Sequence, residues 1–280
     1  MLAIFLALAS NSYGEPFLEF MDDFGKPAHC HRDSMEERIE TERHDFTQST
    51  TTVGRGVVQV EAGYSYFYKD EHGEIEETHA TPEMLWRIGL SEDIELRLRW
   101  NYGWRLVDDV EEKNGAQDLT WSLKLGMTEQ DCGLPESALE IRSTAPTGGN
   151  SWSTDRVEFG LDYIYGWQLT ESLTLTGSTG FGTDGLGDFS LVPDDPAGDR
   201  FTVWSQSAAL GKELSERTTM YAEYFGIFSH ARSEDISLNF FNIGIDYYLT
   251  HNWVIDVRAG VGLSPDSEDF FGGVGGAYRF

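Results

Sequence analysis

Basic residues are scarce in this chain, and their scarcity limits the partners it can have. The 280 residues include 20 Lys and Arg against 48 Asp and Glu, which gives a formal net charge of -28. Nucleic acid binds to surfaces whose cations replace its counterions, and anionic lipid attracts polybasic segments. The charge balance therefore argues against nucleic acid and against peripheral attachment to anionic lipid. It predicts an acidic, well-hydrated surface.

Long apolar runs are missing beyond the N-terminus. A helix that crosses a bilayer needs about 20 apolar residues in a row, and the sequence after residue 14 has no such run. Residues 1–10 are almost entirely apolar, and the small residues Ser12 and Gly14 are typical of the site at which a secretory signal is removed. We therefore expect a signal peptide over residues 1–14. A buried structural segment is the alternative, because the usual positive charge ahead of the apolar run is absent.

Cysteine is almost absent, since Cys30 and Cys132 are the only two. One interpretation is a disulfide between them, because exported proteins fold in an oxidising compartment. Two unpaired thiols are the alternative, because nothing in the sequence fixes the distance between them. His29 and His31 flank Cys30, but three ligands so close along a chain rarely converge on one ion. We therefore expect no metal site and no cofactor.

What the chain does have is alternation. From residue 56 onward, apolar side chains occupy every second position in segments of about 10 to 14 residues, as in tilted strands that cross a bilayer. The clearest segment has one apolar face, made of Ile94, Leu96, Leu98, Trp100, Tyr102, Trp104 and Leu106. Its other face carries three arginines, which fit a water-filled lumen better than the packed core of a soluble sandwich. In the segment from residue 200 to 210, Val203 and Trp204 compete for the outer face.

Short turns alternate with longer polar links between these segments. The short turns begin at Leu90, Glu129, Leu169, Leu214 and Leu249. The longer links cover residues 70–77, 107–116, 146–153, 184–199, 229–235 and 264–269. Five short turns and six links join twelve strands. The pattern predicts an all-β fold, an up-and-down antiparallel transmembrane β-barrel of about 12 strands in an outer membrane, with the short turns on the periplasmic side.

The alternation also divides the chain. We expect the barrel over residues 56–280, preceded by a periplasmic extension over residues 15–55 that is a candidate plug of the lumen. Within the extension, residues 32–40 are predicted to form a short helix capped by Asp33 or Ser34. The last segment ends in Phe280, and we expect this C-terminal aromatic to be recognised by the barrel-assembly machinery.

The junction between extension and barrel carries a specific motif. Its matching residues are Arg43, Asp45, Phe46 and Thr47, followed by a Thr-rich stretch and the run Gln59-Val-Glu-Ala-Gly-Tyr64. This junction resembles the opening of the outer-membrane transporter family named for the meta-cleavage pathway of phenol degradation, with His44 in place of the usual Pro. The resemblance implies an outer-membrane barrel with a transport function, often encoded near genes for the degradation of aromatic compounds.

Charged residues on the predicted inner face are the strongest functional signal. They are Glu61, Arg87, Glu95, Arg97, Arg99, Asp118, Lys124, Glu140, Arg142, Arg156, Glu158, Asp162, Asp246, Asp256 and Arg258. One interpretation is that acids and bases pair across neighbouring strands and fill a narrow lumen. The other is a selective constriction that orients a permeant solute, with arginines suited to carboxylates such as aromatic acids. The predicted solute-binding set is Arg97, Arg99, Arg142, Arg258, Glu95, Asp118, Glu158 and Asp256.

The predicted function is an outer-membrane channel or transporter for small solutes, aromatic or carboxylated, that selects by bore and charge without a covalent step. A structural or adhesive barrel is the alternative, with the acidic external loops, in contact with lipid and lipopolysaccharide, as its working surface. An outer-membrane lipid hydrolase is less favoured. The sequence lacks a Gly-Xaa-Ser-Xaa-Gly nucleophile elbow, and only His79 and His230 lie at outer strand ends near Ser or Thr.

Overall fold

A closed sheet of antiparallel strands dominates the structure. The structure is a computed structural model that describes residues 38–42, 46–131, 133–149, 152–153, 155–183, 202–229 and 236–280. The strands in these residues are β1 (Val58–Glu71), β2 (Glu74–Gly89), β3 (Ile94–Val107), β4 (Val110–Ala116), β5 (Leu119–Thr128), β6 (Glu136–Ala145), β7 (Glu158–Thr170), β8 (Leu173–Gly182), β9 (Val203–Ser215), β10 (Thr218–Ser229), β11 (Ile236–Thr250), β12 (Trp253–Gly262) and β13 (Phe270–Arg279). Across the described ranges, no helix is long and apolar enough to cross a membrane.

Twelve strands form the wall of a barrel. Neighbouring wall strands pair in antiparallel order, and β1 pairs with β13, so that the sheet closes on itself. Two of the short strands share a partner, because β4 pairs with the outer half of β3 and β5 with its inner half. Together β4 and β5 therefore act as one wall strand that is interrupted at Gln117 and Asp118. The predicted up-and-down barrel of twelve strands is confirmed.

The two faces of the wall have opposite character. Along β7, Glu158, Gly160 and Asp162 are buried, whereas Phe159 and Leu161 between them are exposed. A strand with its charges inside and its apolar side chains outside is the reverse of a strand in a soluble protein, and it fits a wall between lipid and a polar lumen.

The segment whose faces were ambiguous in the sequence follows the same rule. Val203 is fully buried and faces inward, while Trp204 is 43% exposed on the outside. The Trp204 ring stacks on Phe228 of the neighbouring strand, with 4.4 Å between ring centroids. A cross-strand aromatic pair of this kind fixes the register of β9 against β10.

The five predicted short turns connect strands at one end of the barrel, but the first two predicted long links are wrong. β1 and β2 continue to a two-residue turn at His72 and Gly73, and β3 and β4 continue to a turn at Asp108 and Asp109. All four turn residues have positive φ, as two-residue hairpins require. Acidic sequence suggested loops here, yet an antiparallel ribbon that extends beyond the membrane exposes both faces to water and accommodates charge on each.

Several predictions concern residues outside the described ranges. These include the signal peptide over residues 1–14, the Cys30–Cys132 disulfide and all of the predicted helix up to residue 37. Residues 38–40 are described and are not helical. We call residues 38–42 and 46–57 the inner segment, because they lie against the inner face of the wall, as described below.

Candidate functional site

Charged side chains form two rows across one side of the lumen. The strand register places four charged residues side by side on neighbouring strands, with Lys124 between Glu95 and Glu140 and with Asp162 next to Glu140. The adjacent row carries the arginines Arg87, Arg97 and Arg142. Each acid thus has a base beside it, which stabilises the pairing of the strands.

The inner segment adds an acid to the centre of these rows. The Glu42 carboxylate lies 2.6 Å from the Lys124 ammonium and 3.1 Å from the Arg87 guanidinium, and it also pairs with Arg97. All four side chains are buried. Burial alone would raise the pKa of Glu42, but attraction from Arg87, Arg97 and Lys124 outweighs it, so that the pKa lies well below its ordinary value. Glu42 is therefore ionised at neutral pH.

Backbone groups of the inner segment are also bound by wall side chains. The Glu40 carbonyl accepts hydrogen bonds from Gln59 at 2.7 Å and from Arg87 at 3.1 Å. The backbone N–H of Glu42 donates to Glu61 at 2.9 Å, and that of Val53 donates to Glu95 at 2.9 Å. A non-helical chain inside a barrel has no ladder of its own, so these wall groups satisfy donors and acceptors that would otherwise be buried without partners.

The tip of the inner segment contacts the opposite side of the lumen. The Glu223 carboxylate accepts the backbone N–H of Phe46 at 3.1 Å and that of Thr47 at 2.5 Å. The Thr47 hydroxyl donates to the Ser207 hydroxyl at 2.7 Å. Glu223 and Ser207 lie on β10 and β9 and are fully buried. The inner segment therefore spans the lumen from the charged rows to the far wall.

Apolar side chains fill the lumen above this tip. We call them the aromatic cluster: Phe67, Val203, Phe225, Ile227, Leu238, Phe240 and Phe271. Its rings stack closely, with 4.8 Å between the centroids of Phe225 and Phe240. Phe46 joins from the inner segment and lies parallel to Phe225, with 4.6 Å between centroids. The interior is thus divided into a charged side and an aromatic side.

Both ends of the inner segment are attached near the short turns. Arg38 donates to Glu213 at 2.6 Å and lies 3.9 Å from the centre of the Tyr248 ring, while Ile39 is buried in the apolar group around Tyr248. At the other end, Gly56 donates its backbone N–H to Gly89 at 2.9 Å. A Cβ on Gly89 would come within 1.6 Å of the Gly54 carbonyl oxygen, so only glycine permits this close approach.

A cavity of about 810 Å³ opens at the short-turn end of the barrel. It lies between the inner segment and the wall, and it is bordered by Arg38, Thr47, Gln48, Glu213, Tyr248 and His251. The cavity therefore reaches from the turns to the tip of the inner segment, where Thr47 and Gln48 border it.

The connection between β6 and β7, which we call the third outer connection, contacts the inner face of the wall through Gly148, Trp152 and Ser153, at the place where β4 and β5 are interrupted. The Asp118 carboxylate accepts the backbone N–H of Gly148 at 2.8 Å and the hydroxyl of Ser153 at 3.1 Å. Trp152 is buried beside Gly103, whose missing side chain leaves room for the indole ring. The interruption of the wall strand thus supplies the acceptor that holds this connection inward.

The outer surface carries a continuous apolar belt. Large apolar side chains are exposed on strands all around the barrel, among them Trp121, Ile141, Leu161, Phe181, Leu210, Ile243, Ile255 and Val274. In water such a surface would drive aggregation, whereas in a bilayer it faces hydrocarbon. A closed barrel has no unpaired edge, so every wall strand can be in lipid with its backbone groups satisfied. The protein is an outer-membrane β-barrel.

Comparison with known proteins agrees with this architecture. The family described as "Putative MetA-pathway of phenol degradation" matches residues 41–280. The chain belongs to this family. An outer membrane channel from Pseudomonas putida F1 has a similar crystal structure, with 14% identity, coverage of 86% of this chain and 100% of that chain, and a TM-score of 0.64. The NanC porin is similar at 8% identity, with coverage of 80% and 100% and a TM-score of 0.50. No curated protein matches the chain.

The family motif at the start of the barrel has a structural role here. Residues 43–45 lie outside the described ranges, but Phe46 and Thr47 form the tip that Glu223 and Phe225 bind. The Gln-Val-Glu run that follows supplies Gln59 and Glu61, both of which bind the inner segment. The resemblance identified in the sequence is confirmed as family membership, and the motif residues Phe46, Thr47, Gln59 and Glu61 hold the inner segment in the lumen.

The structure brings only some of the predicted solute-binding residues together. Glu95 and Arg97 contact each other and the inner segment, and Arg142 pairs with Asp162 on the next strand. The other five are distributed around the wall. Asp118 binds the connection between β6 and β7, and Glu158 pairs with Arg156. Arg258 donates to Ser65 at 2.8 Å, Asp256 lies opposite Asp246, and Arg99 is half-buried two positions after Arg97. Their role in binding a solute stays a prediction.

Sequence reasoning missed the partners of the inner segment on the aromatic side. Glu223 is a lone acid on an inner face that otherwise carries Tyr221, Phe225 and Ile227. A single acid in an apolar inward row was a signal that could have marked it. The role of Glu42 had no comparable signal, because the extension is rich in acids and has no periodic pattern.

His79 and His230 are the two histidines that the sequence offered for a hydrolase site. His230 lies outside the described ranges. His79 is on the outer wall, where its ring stacks on Trp104 with 4.9 Å between centroids and its Nδ1 lies 2.8 Å from the Tyr64 hydroxyl. Aromatic and polar side chains at this height are typical of the interfacial girdle of an outer-membrane barrel.

Proposed function

We propose that this protein is an outer-membrane channel for small solutes and that its inner segment is a tethered plug. The observation that carries the proposal is the position of Glu42, an acid supplied by the segment and held by Arg87, Arg97 and Lys124 in the middle of the lumen. A barrel with a purely structural role would gain as much from apolar packing at this point, because buried ion pairs contribute little net stability.

The charges of the wall support release of the plug. Three wall cations bind Glu42. Two of them, Arg87 and Arg97, also pair with the wall acids Glu61, Glu95 and Glu140, and the third, Lys124, lies opposite Glu95 and Glu140 in the strand register. If the inner segment leaves, three cations still face three acids. Leaving a buried charge without a partner costs about 3–5 kcal/mol, and this wall avoids that penalty. The lumen is thus suited to exist both with and without the segment.

The way in which the inner segment is attached supports a movement in which it leaves the lumen but stays joined to the barrel. Its C-terminal end continues directly into β1 through the turn at Gly54 and Gly56, so the segment stays joined to the barrel when it moves. The cavity of about 810 Å³ beside it opens at the short-turn end, where a displaced segment has space. We propose that this end faces the periplasm and that residues 15–55 form the periplasmic extension.

The solutes are proposed from the family resemblance and from the lumen. Channels and porins are among the similar structures, and the family resemblance suggests aromatic compounds. Arg99 and Arg142 are proposed to contact carboxylated solutes once the plug has moved, by hydrogen bonds and charge and without a covalent step. A structural or adhesive role is not favoured, because the buried charges and rings lie in the lumen and not on the acidic loops.

Two further partners are proposed for the outer surface. Lipopolysaccharide would contact the acidic ribbons at the long-loop end through divalent cations. The barrel-assembly machinery would recognise Phe280, whose side chain is 66% exposed and whose ring lies edge-to-face with Tyr278 at 4.9 Å.

Single-channel recording of the full chain in planar bilayers tests the plug. Glu42→Gln keeps the shape of the side chain but removes its charge, and we expect more frequent and longer open events than in the wild type. Glu40→Gln is the matched control, because Glu40 is exposed and two residues away. We expect it to behave like the wild type.

The migration of unheated samples on gels, which distinguishes folded from unfolded barrels, verifies that each variant has folded. A folded Glu42→Gln channel that stays as closed as the wild type would contradict the plug. Opening by both variants to the same extent would also contradict it, since the effect would then not depend on the buried charge.

A further inference from the structure

Phe46 is the member of the aromatic stack that does not come from the wall. Its ring lies parallel to Phe225 at 4.6 Å, yet Phe46 is only partly buried, whereas Phe225 and Phe240 are almost completely buried. The ring therefore covers one face of Phe225 without being completely buried itself. A ring that can be withdrawn exposes an aromatic face to whatever occupies the channel.

The polar groups beside this ring form a second part of the same contact. Within two residues, the inner segment presents a ring, two N–H donors and one hydroxyl donor. On the wall, these groups contact the face of Phe225, the carboxylate of Glu223 and the hydroxyl of Ser207. We call these three wall residues the tip site. Glu223 and Ser207 are fully buried. Ser207 also bonds to Ser178 of the wall, but both Glu223 bonds to the inner segment come from backbone N–H donors of Phe46 and Thr47, and a solute at this place has to supply donors in their stead.

We propose that the tip site is a solute-binding site and that Phe46 and Thr47 occupy it as an internal substitute for the solute. This inference rests on the proposed channel function. The site takes an aromatic ring that carries a hydroxyl or amino donor, because such a molecule reproduces both the stacking and the hydrogen bonds of the tip. An aromatic carboxylate is disfavoured at the tip site itself, since its charge would face the acid of Glu223 there; the arginines proposed to contact carboxylated solutes lie on the charged side of the lumen.

Solute and plug then exclude each other at one place. A solute that binds the tip site takes the position of the Phe46 ring and removes the acceptors that hold Thr47. Binding therefore shifts the population toward the state in which the inner segment has left. The solute would favour the opening of the channel through which it passes.

Calorimetric titration of the purified full chain in detergent tests the site. Phenol is the probe, with benzoate as the matched ring without a neutral donor and cyclohexanol as the donor without an aromatic ring. We expect phenol to bind more tightly than either. Phe46→Ala is expected to increase the affinity for phenol about ten-fold, if the tip occupies the site about nine-tenths of the time. Phe225→Ala is expected to reduce it at least as much.

Phe228→Ala is the matched control, because this ring stacks on Trp204 at the outer surface, and it should leave phenol binding unchanged. A Phe46→Ala chain that binds phenol no more tightly than the wild type would overturn the competition. Equal affinity for phenol and benzoate would contradict the proposed preference of the tip site for a ring that carries a neutral donor. Should Phe225→Ala fail to fold, Glu223→Gln supplies the second variant, with loss of the preference for phenol over benzoate as the expected result.

These outcomes are separate from those of the channel recordings. Suppose that the Glu42→Gln channel conducts but that Phe46→Ala and the wild type bind phenol with the same affinity. The proposed tip site would then be wrong, and the proposed channel would stand. A closed Glu42→Gln channel would overturn the plug, whatever the titrations give.

Discussion

The Glu42 carboxylate lies 2.6 Å from the Lys124 ammonium, and both side chains are completely shielded from solvent. Glu42 comes before the first strand and Lys124 from β5, so this contact joins two parts of the chain that are far apart in sequence. It fixes the depth of the inner segment in the lumen.

Arg97 and Arg99 are two positions apart on β3 and differ in their surroundings. Arg97 is buried against Glu42, Glu95 and Glu140, whereas Arg99 is half-buried. Arg97→Gln is expected to lower the free energy of unfolding by about 3 kcal/mol, because it leaves buried acids without a partner. Arg99→Gln should cost less than about 1 kcal/mol. Urea unfolding in lipid vesicles measures both, and equal losses would show that Arg97 does not hold the network.

Acid is expected to weaken the hold on the inner segment. The pKa of Glu42 is lowered by Arg87, Arg97 and Lys124, and Glu61 is the neighbouring acid. A group whose pKa is lowered on folding contributes stability that is complete above its unfolded pKa of about 4.3 and is lost as the pH falls toward the folded value. The difference in thermal stability between wild type and Glu42→Gln should therefore be constant from about pH 7 to about pH 5 and shrink as the pH falls further to about pH 3.

Glu40→Gln is the control for this titration, because Glu40 is exposed near the same wall groups. Its difference from the wild type is expected to be small at every pH. A gap between wild type and Glu42→Gln that stays constant down to about pH 3 would mean that the Glu42 carboxylate is not stabilised by its cations.

The apolar belt makes the stability of β7 depend on depth. Leu161 lies within the strand, opposite Ile141 near the middle of β6, and Leu169 lies at the end of β7 beside a short turn; both are exposed on the outer face. Leu161→Arg is expected to destabilise the barrel in vesicles by about 2–4 kcal/mol, and Leu169→Arg by no more than about 1 kcal/mol. Urea unfolding in vesicles again gives the values. Similar losses in the free energy of unfolding at the two positions would contradict the expected depth of Leu161 in the bilayer.

The barrel was predictable because its signal is local and repeated. Between Ile94 and Leu106, apolar residues alternate with charged, polar or glycine residues over a whole strand, and the same period recurs in nearly every segment. Side-chain direction in a strand has a period of two, so this pattern alone assigns the faces. It left the faces of Val203 and Trp204 open, because both are large and apolar, and only the pairing with β8 and β10 decided between them.

The contents of the lumen were not predictable in the same way. The partners of Glu42 are Arg87, Arg97 and Lys124, which lie on three different strands. No periodicity connects them with an irregular segment, and nothing in the sequence sets Glu42 apart from the other acids of the extension. The stacking of Phe46 on Phe225 joins positions even more distant in the chain. Contacts of this kind depend on closure of the sheet, which local patterns do not describe.

The pairing of β1 with β13 has a consequence for the order of assembly. The backbone N–H of Phe280 donates to Val58 at 2.9 Å, so the last residue closes the seam directly beside the point where the inner segment ends. The binding partners of that segment lie on both sides of the seam, with Glu61 on β1 and Glu223 on β10. They surround one common space only after the seam has closed. The inner segment can therefore make its contacts with Glu61 and Glu223 together only in a barrel whose seam has closed.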